Sequence, residues 1–342
     1  MKALGKIPYE QALERIEKSG NYYKGAFRNQ ERVPPDLRMS HPAKIAYDFF
    51  TVKRIVEPQQ PVLAVKTDLR AIVAEQPTIT WFGHSSYLIR YKNLNILVDP
   101  VLCGYASPFY IMTKAFEGAD IYTPEDMPDI DYLLITHDHF DHLDYASILR
   151  LNTRVKAVIT PLGVGSHLKY WGYNDKIITE LDWEDELQPA PGLQIRSVTT
   201  RHNSGRTLIR NKTLWTSYIL QLDQYRLFLC ADGGYGQHFK KIGQQYGPFD
   251  FAVMENGQYN TSWPLNHMFP EQSVEAAADL QAQLIMPIHW GKFAIAHHTW
   301  NEPIHRFTAA ARKNSRPYTV PQIGQPYNIT DPPLTTVWWD FD

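Results

Sequence analysis

The chain has 342 residues, 44% of them hydrophobic and 20% charged, the balance of a globular protein and not of a disordered one. A formal net charge of -2 offers no basic field, so no nucleic-acid partner is expected. The two cysteines, Cys103 and Cys230, form no disulfide framework and suit a reducing compartment.

In chain order, "MKALGKIPYEQALERIEKSG" contains no apolar run of signal-peptide length. No window reaches the roughly 18 apolar residues of a membrane-spanning helix. A cytoplasmic protein is therefore expected. The segment "AYDFFTVKRIV" (46–56) mixes aromatic with basic residues, which leaves peripheral membrane contact open beside plain packing on the body. Residues 1–75 lack strand alternation and carry Pro34, Pro35, Pro42, Pro58 and Pro61, which predicts a helical and extended N-terminal arm. Residues 76–342 form the main domain.

From Thr78 the texture changes to short β-branched and aromatic runs: "TITWF", "YLIRY", "NILVD", "YLLIT", "KAVIT", "QIRSVT", "SYILQL", "RLFLC", "FAVME" and "LIMPI". Helical patterns in "DYASILRL", "QHFKKIGQQY", "PEQSVEAAADLQAQ" and "IHRFTAAARK" separate several of them. This alternation predicts a layered α/β protein. An internal echo sharpens it. "SYLIRYKNLNILVDP" ends on Asp99 as "SYILQLDQYRLFLCADGG" passes through Asp232, and "DIDYLLITHDH" has a counterpart in "PFDFAVMENG". Two such halves, face to face, make a four-layer αββα sandwich whose strand-end loops meet along one edge.

The first such loop is "THDHFDHLD" (136–144), with three histidines and three aspartates in nine positions. With 13 histidines in the chain, His-x-His-x-Asp-His arises by chance in roughly one such chain per thousand. Imidazole and carboxylate together suit zinc and similar divalent ions. Two adjacent ions would also explain the crowding, since each offsets the carboxylates and keeps the imidazoles neutral.

His137-x-His139-x-Asp141-His142 resembles the signature of the metallo-β-lactamase superfamily. Further along, "TWFGHSSYLIR…ILVDPVL", "LDWEDE", "YGPFDFAVMENGQY" and "PIHWGKFAIA" are similar to the branch of N-acylphosphatidylethanolamine-hydrolysing phospholipase D. The likeness runs from about Thr78 to about Ala310. It implies later ligands in a set order, which His202, Asp232 and His289 supply. His137, His139 and His202 would then hold one ion, Asp141, His142 and His289 the second, and Asp232 would bridge. Two ions, zinc by preference with Mn2+ or Fe2+ as alternatives, would sit about 3.5–4 Å apart with a bridging hydroxide as nucleophile. The resemblance also marks Asp141 and His267 as catalytic candidates, and His84 and Asp99 as residues that orient metal-bound histidines. Arg206 stands where it could meet a phosphate oxygen. At the bridging position the family's Gly-Asp-Thr-Gly is replaced by Ala231-Asp232-Gly233-Gly234.

The expected function is a binuclear metal-dependent hydrolase of the phosphodiesterase, phospholipase D-like type, acting on a small-molecule or phospholipid substrate. A sugar-phosphate lactonase and a non-catalytic metal-dependent sensor remain alternatives, as does a homo-oligomeric state. A nuclease is disfavoured by the charge. A di-iron redox enzyme is disfavoured by the histidine at position 139, where a carboxylate would be expected.

Overall fold

The computed structural model describes residues 2–31, 56–332 and 335–341. The aromatic and basic stretch 46–55 lies outside the described residues. Among the described residues, no helix is long and apolar enough to cross a membrane.

The N-terminal segment opens with α1 (Gln11–Glu17) and a short hairpin of β1 (Tyr22–Tyr23) and β2 (Ala26–Phe27). Ile16 and Phe27 are buried against Leu162, Trp183, Leu214 and Trp215, so this segment is pinned to the body. Further on, Ala64 bridges to Ile323 and Leu69 is buried.

The first half of the body contains β3 (Thr78–Trp81), β4 (Tyr87–Tyr91), β5 (Leu94–Val98), β6 (Ile130–Leu134), α2 (Tyr145–Leu151), β7 (Val155–Pro161), α3 (Gly165–Tyr170) and β8 (Ile178–Leu181). The second half contains β9 (Glu186–Ala190), β10 (Leu193–Val198), β11 (Ser217–Leu222), β12 (Tyr225–Leu229), α4 (Gln237–Tyr246), β13 (Phe249–Glu255), α5 (Pro270–Asp279), β14 (Ala282–Ile288) and α6 (Glu302–Lys313). The chain then returns through β15 (Pro326–Asn328), which pairs with β3 in the first sheet.

Two sheets result: a seven-stranded one ordered β15-β3-β4-β5-β6-β7-β8, and a six-stranded one ordered β14-β13-β12-β11-β10-β9. The pleat explains how each sheet serves two layers, because successive side chains point to opposite faces. On β4 and β5, Ile89, Ile96 and Val98 turn inward to meet Ile195, Leu220 and Leu229 of the second sheet. Their neighbours Leu88 and Leu97 turn outward to meet Ile148 and Leu151 of α2 and Leu168 of α3. On the far side, Phe239 and Ile242 of α4, Val274 of α5, and Ile304 and Phe307 of α6 cover the second sheet. Truncating any of these buried aliphatic groups to alanine costs about 2–5 kcal/mol. The molecule is the expected αββα sandwich.

The internal echo is structural. β4–β5 and β11–β12 are antiparallel hairpins, and each second strand pairs in parallel with the strand that follows. Asp131 accepts the Asn95 N–H at 2.8 Å, and Asp250 accepts the Arg226 N–H at 2.7 Å, the same contact made twice. The register corrects one detail. Tyr87 pairs with Val98 and Tyr218 with Leu229, which matches Asp99 with Cys230 and not with Asp232. Asp232 lies two residues further out, in the edge loop.

Three strands of the two large sheets, β8, β9 and β15, were not apparent as apolar runs, nor was the short β1–β2 hairpin. The helical pattern of 270–283 also stops early. Gln281 adopts φ 59 and β14 begins at the next residue, so the chain turns through a left-handed residue without glycine.

Candidate metal centre

The parallel strands and hairpins deliver their loops to one edge of the sandwich. β6 leads into His137, His139, Asp141 and His142, after which Asp144 caps α2 by accepting the Ser147 N–H at 2.8 Å. His202 follows β10, Asp232 follows β12 and His289 follows β14. His84 (φ 52), Asp99 (φ 42) and His289 (φ 68) hold left-handed backbone, which side-chain-bearing residues adopt only where the surroundings enforce it. The enforcing contacts are reciprocal. The His84 N–H donates to the Trp290 carbonyl at 2.9 Å, and the His289 N–H donates to the His84 carbonyl at 2.9 Å.

All seven candidate ligands come together. His137 Nε2 and His202 Nε2 lie 3.0 and 3.2 Å from His139 Nδ1. His84, Asp141, His142 and His289 form a second group, with ligating atoms within 4.8 Å of one another. Asp232 stands between the groups. One oxygen is 3.1 Å from His289 Nδ1, and the other is 3.2 Å from His142 Nε2 and 3.9 Å from both His137 Nε2 and His202 Nε2. Burial alone would raise the Asp232 carboxyl, yet His142 and His289 beside it hold it well below the usual range. Burial pushes His137, His202 and His289 well below the ordinary imidazole value, leaving them neutral. His142 goes the other way. Burial opposes its charge, but Asp232 and Asp141 raise it well above that value.

A divalent ion fits this arrangement. Neutral imidazoles packed nitrogen to nitrogen have lone pairs in excess of protons, a pattern that a cation satisfies. His142 Nε2, His289 Nε2 and His84 Nδ1 are buried without a hydrogen-bond partner, although His142 Nε2 lies within ion-pair distance of Asp232. Orphaned polar atoms of this kind are rare in folded proteins unless a ligand completes them.

The supporting residues divide. Asp99 lies 2.8 Å from His142 Nδ1, the arrangement expected of a residue that orients a ligand. His84 places Nε2 2.9 Å from Asp141 Oδ2, so its hydrogen bond goes to a carboxylate, while its ring lies against that of His289 with centroids 4.1 Å apart. Arg206 does not fit the substrate role expected for it. Its guanidinium is buried and donates to the carbonyls of Asp138 (2.8 Å), Leu143 (2.7 Å) and Ala3 (2.7 Å). It packs over the Phe140 ring at 4.1 Å and, at the wall of the cleft, clamps the ligand loop. The Cys230 thiol is buried, and burial pushes it up, away from the thiolate form a ligand needs.

Gly233 has its own reason. A Cβ there would lie 2.2 Å from Thr200 Oγ1, which donates to the Asp232 carbonyl at 3.1 Å. A hydroxyl from β10's loop therefore stands beside Asp232.

Several residues escaped the sequence reading. Ser85 Oγ is 2.9 Å from His289 Nδ1. Asp138 accepts from Gly205 N–H at 2.7 Å and Thr213 Oγ1 at 2.8 Å, and pairs with His167 at 3.1 Å. Glu255, fully buried at the end of β13, is 2.9 Å from His267 Nδ1, and burial pushes its carboxyl up to about 7. The density of acids in "THDHFDHLD" was the only signal for Asp138. A charged residue closing an apolar strand was the only one for Glu255.

The centre forms the floor of a cleft of about 1060 Å³, lined among others by His139, Asp141, Asp232, His267 and His289.

Residues 94–290, more than half of the chain, match the family model described as the Beta-lactamase superfamily domain. An uncharacterised protein of Mycobacterium tuberculosis is 34% identical over 333 residues, 94% of this chain and 88% of that protein. The N-acyl-phosphatidylethanolamine-hydrolyzing phospholipase D 1 of Caenorhabditis elegans is 31% identical over 232 residues, 63% of this chain and 64% of that protein. Among solved structures, the diiron β-hydroxylase CmlA from Streptomyces venezuelae superposes with a TM-score of 0.58 at 18% identity, over 75% of this chain and 55% of that one, a likeness of fold alone. From the family match, the near full-length relative and the shared sandwich, the chain belongs to the metallo-β-lactamase superfamily of metal-dependent hydrolases, and within it resembles the N-acyl-phosphatidylethanolamine-hydrolysing phospholipase D proteins.

Proposed function

We propose that the chain is a metal-dependent phosphodiesterase that takes a lipid phosphodiester at an anionic membrane surface. One juxtaposition carries this reading: a floor of metal-ligand side chains beneath a rim that is apolar and cationic. Phe109, Tyr110, Ile111 and Met112 are consecutive and exposed, and Leu208 and Ile209 face solvent on a second loop of the same cleft. Apolar side chains presented together in this way mark an interaction surface. The two rim loops, 104–116 and 203–212, also carry Lys114, Arg210 and Lys212 and contain no aspartate or glutamate. That charge favours anionic headgroups.

His137, His139 and His202 would hold one divalent ion and Asp141, His142 and His289 the other, with Asp232 shared. When bound, the ions supply Lewis acidity, which favours deprotonation of water at neutral pH and offsets charge on the phosphoryl oxygens. The protein's own groups do the positioning. His84 fixes the Asp141 carboxylate, Asp99 fixes the ring of His142, and the Asn266 carbonyl lies 3.1 Å from His202 Nδ1. A phosphodiester suits this floor because its transition state spreads negative charge over the non-bridging oxygens.

The test is turnover by metal-replete protein of an N-acylphosphatidylethanolamine in vesicles, bis-p-nitrophenyl phosphate, a sugar-phosphate lactone and a chromogenic cephalosporin, with Asp141→Asn as control. Phosphodiester turnover that Asp141→Asn abolishes supports the reading. Turnover of the lactone alone replaces it with a lactonase.

A further inference from the structure

We propose that Leu4 is a specificity-determining residue, held at the wall of the cleft by a strap of residues 2–6 so that its side chain meets the apolar chain of the substrate. The proposal rests on the phosphodiesterase reading for the chemistry of that substrate. The placement of the strap stands on geometry alone. Lys2–Leu4 form a single 3-10 turn, closed where the Gly5 N–H donates to the Lys2 carbonyl at 2.9 Å. Three further contacts fasten the strap to the body. Trp171 Nε1 donates to the Lys2 carbonyl at 2.8 Å, Arg206 Nη2 donates to the Ala3 carbonyl at 2.7 Å, and the Lys6 N–H donates to His167 Nδ1 at 3.0 Å.

Each of these anchors uses a backbone atom of the strap, and together they flank Leu4 on both sides. The side chain of Leu4 is not needed to hold the segment. Leu4 is half-buried, and among the described residues it joins none of the buried apolar clusters of the core. It lines the cleft instead, together with Phe140, Leu208 and Trp263. An apolar side chain spared from both anchoring and the core, at a cleft over metal-ligand residues, is placed to shed water against a bound apolar group.

Gly5 fixes how closely the strap sits. Its φ of 71 lies in the left-handed region, and a Cβ there would stand 2.1 Å from His167 Nδ1. The His167 ring in turn places Nε2 3.1 Å from Asp138 Oδ2, and Asp138 stands between His137 and His139. Arg206 makes a second tie, since it holds the Ala3 and Asp138 carbonyls at once. The wall that carries Leu4 is therefore fastened to the loop that carries the metal ligands. That fixes the separation between the apolar contact and the reacting centre, so a substrate held at both places is selected by its chain length.

The experiment compares wild type, Leu4→Ala, Leu4→Met and Gly5→Val, all metal-loaded, on methyl, butyl and octyl p-nitrophenyl phosphates below their micellar concentrations. Metal content and melting temperature are measured on the same samples. In wild type, KM should fall as the chain lengthens, by up to about fourfold for each methylene that reaches the wall. Leu4→Ala should raise KM for the octyl ester about tenfold and leave the methyl ester within about twofold, with kcat and metal content unchanged. Leu4→Met keeps the volume and the apolarity, so it should restore the dependence on chain length. Gly5→Val lifts the strap from His167. It should lower the melting temperature and reduce kcat on all three esters alike, the pattern of a structural defect.

Equal losses on all three esters in Leu4→Ala, no change on any of them, or a wild-type KM indifferent to chain length would each overturn the proposal. If wild type cleaves none of the esters, the phosphodiesterase reading has failed. Calorimetric binding of methyl-, butyl- and octylphosphonate then decides the role of Leu4 separately. Affinity that rises with chain length in wild type and flattens in Leu4→Ala supports the wall. Equal slopes in the two proteins, or no binding, overturns it.

Discussion

Asp99 Oδ2 lies 2.8 Å from His142 Nδ1 while accepting the Thr136 hydroxyl at 2.6 Å, and Asp99 Oδ1 accepts the Thr136 N–H at 2.8 Å. The carboxylate is thus held by two donors of Thr136 and presents a lone pair to the imidazole, which turns Nε2 of His142 toward Asp232. Asp99→Ala should therefore weaken the second metal about 10–100-fold while sparing the first. Competition with a chromogenic chelator reads the two affinities separately. Equal weakening of both sites would show that Asp99 supports the loop as a whole.

Purified protein should carry close to two divalent ions per chain, because seven donors are too many for one tetrahedral ion. Asp232→Asn should lower occupancy of both sites, since its two oxygens face different histidines, whereas His289→Ala should empty mainly one. Stripping the metal should also lower the melting temperature. Ions that bind only the folded state stabilise it by mass action, by about 4 kcal/mol at a thousandfold excess over Kd. Elemental analysis and calorimetry check both. A melting point indifferent to chelator would mean that the cluster is satisfied without metal.

Much of this was legible in the sequence, for identifiable reasons. The candidate ligands announce themselves because each follows an apolar run and because "THDHFDHLD" concentrates charge that no core would accept unaided. The sandwich follows from the repeated hairpin and the Asp131 and Asp250 contacts that recur in each half. What escaped depends on burial and on distance along the chain. Arg206 read as a substrate cation because a sequence does not reveal that three carbonyls, one of them from Ala3, converge on it. Glu255 went unremarked because its partner His267 lies 12 residues on, across a loop. Strand β9 was hidden by Pro189 and its half-exposed, mixed pattern.

Arg206 gives a test of that correction. Arg206→Lys keeps the charge but cannot span three carbonyls, since an ammonium is a point donor and not a fork. It should cost about 2–3 kcal/mol of stability, from lost charge-assisted hydrogen bonds. It should also lower kcat through the ligand loop with little change in KM. Urea denaturation and steady-state kinetics provide the two readings. A large rise in KM with normal stability would restore Arg206 to the substrate.

The N-terminal segment is held to the body by a charge contact whose pH dependence can be worked out. Glu31 pairs with Arg201, and its Oε1 accepts the His238 N–H at 2.8 Å and lies 3.5 Å from His238 Nδ1. The His238 hydrogen bond, against the cost of burial and with help from Arg201, lowers the Glu31 carboxyl from 4.5 to about 2. A carboxyl whose folded value lies below its unfolded value contributes stability that is fully present above the unfolded value. That stability is lost as pH falls through the folded one. Glu31 should thus stabilise the protein fully above about pH 5 and progressively less from there toward pH 2. After discounting for solvent screening at this partly exposed site, the contribution is about 1–2 kcal/mol. Glu31→Gln should accordingly unfold at lower urea than wild type at pH 7, and the gap should narrow steadily between pH 5 and pH 3. A gap independent of pH would mean that the residue acts through packing. A gap that widened on acidification would reverse the sign and rule out the pairing with Arg201 and His238.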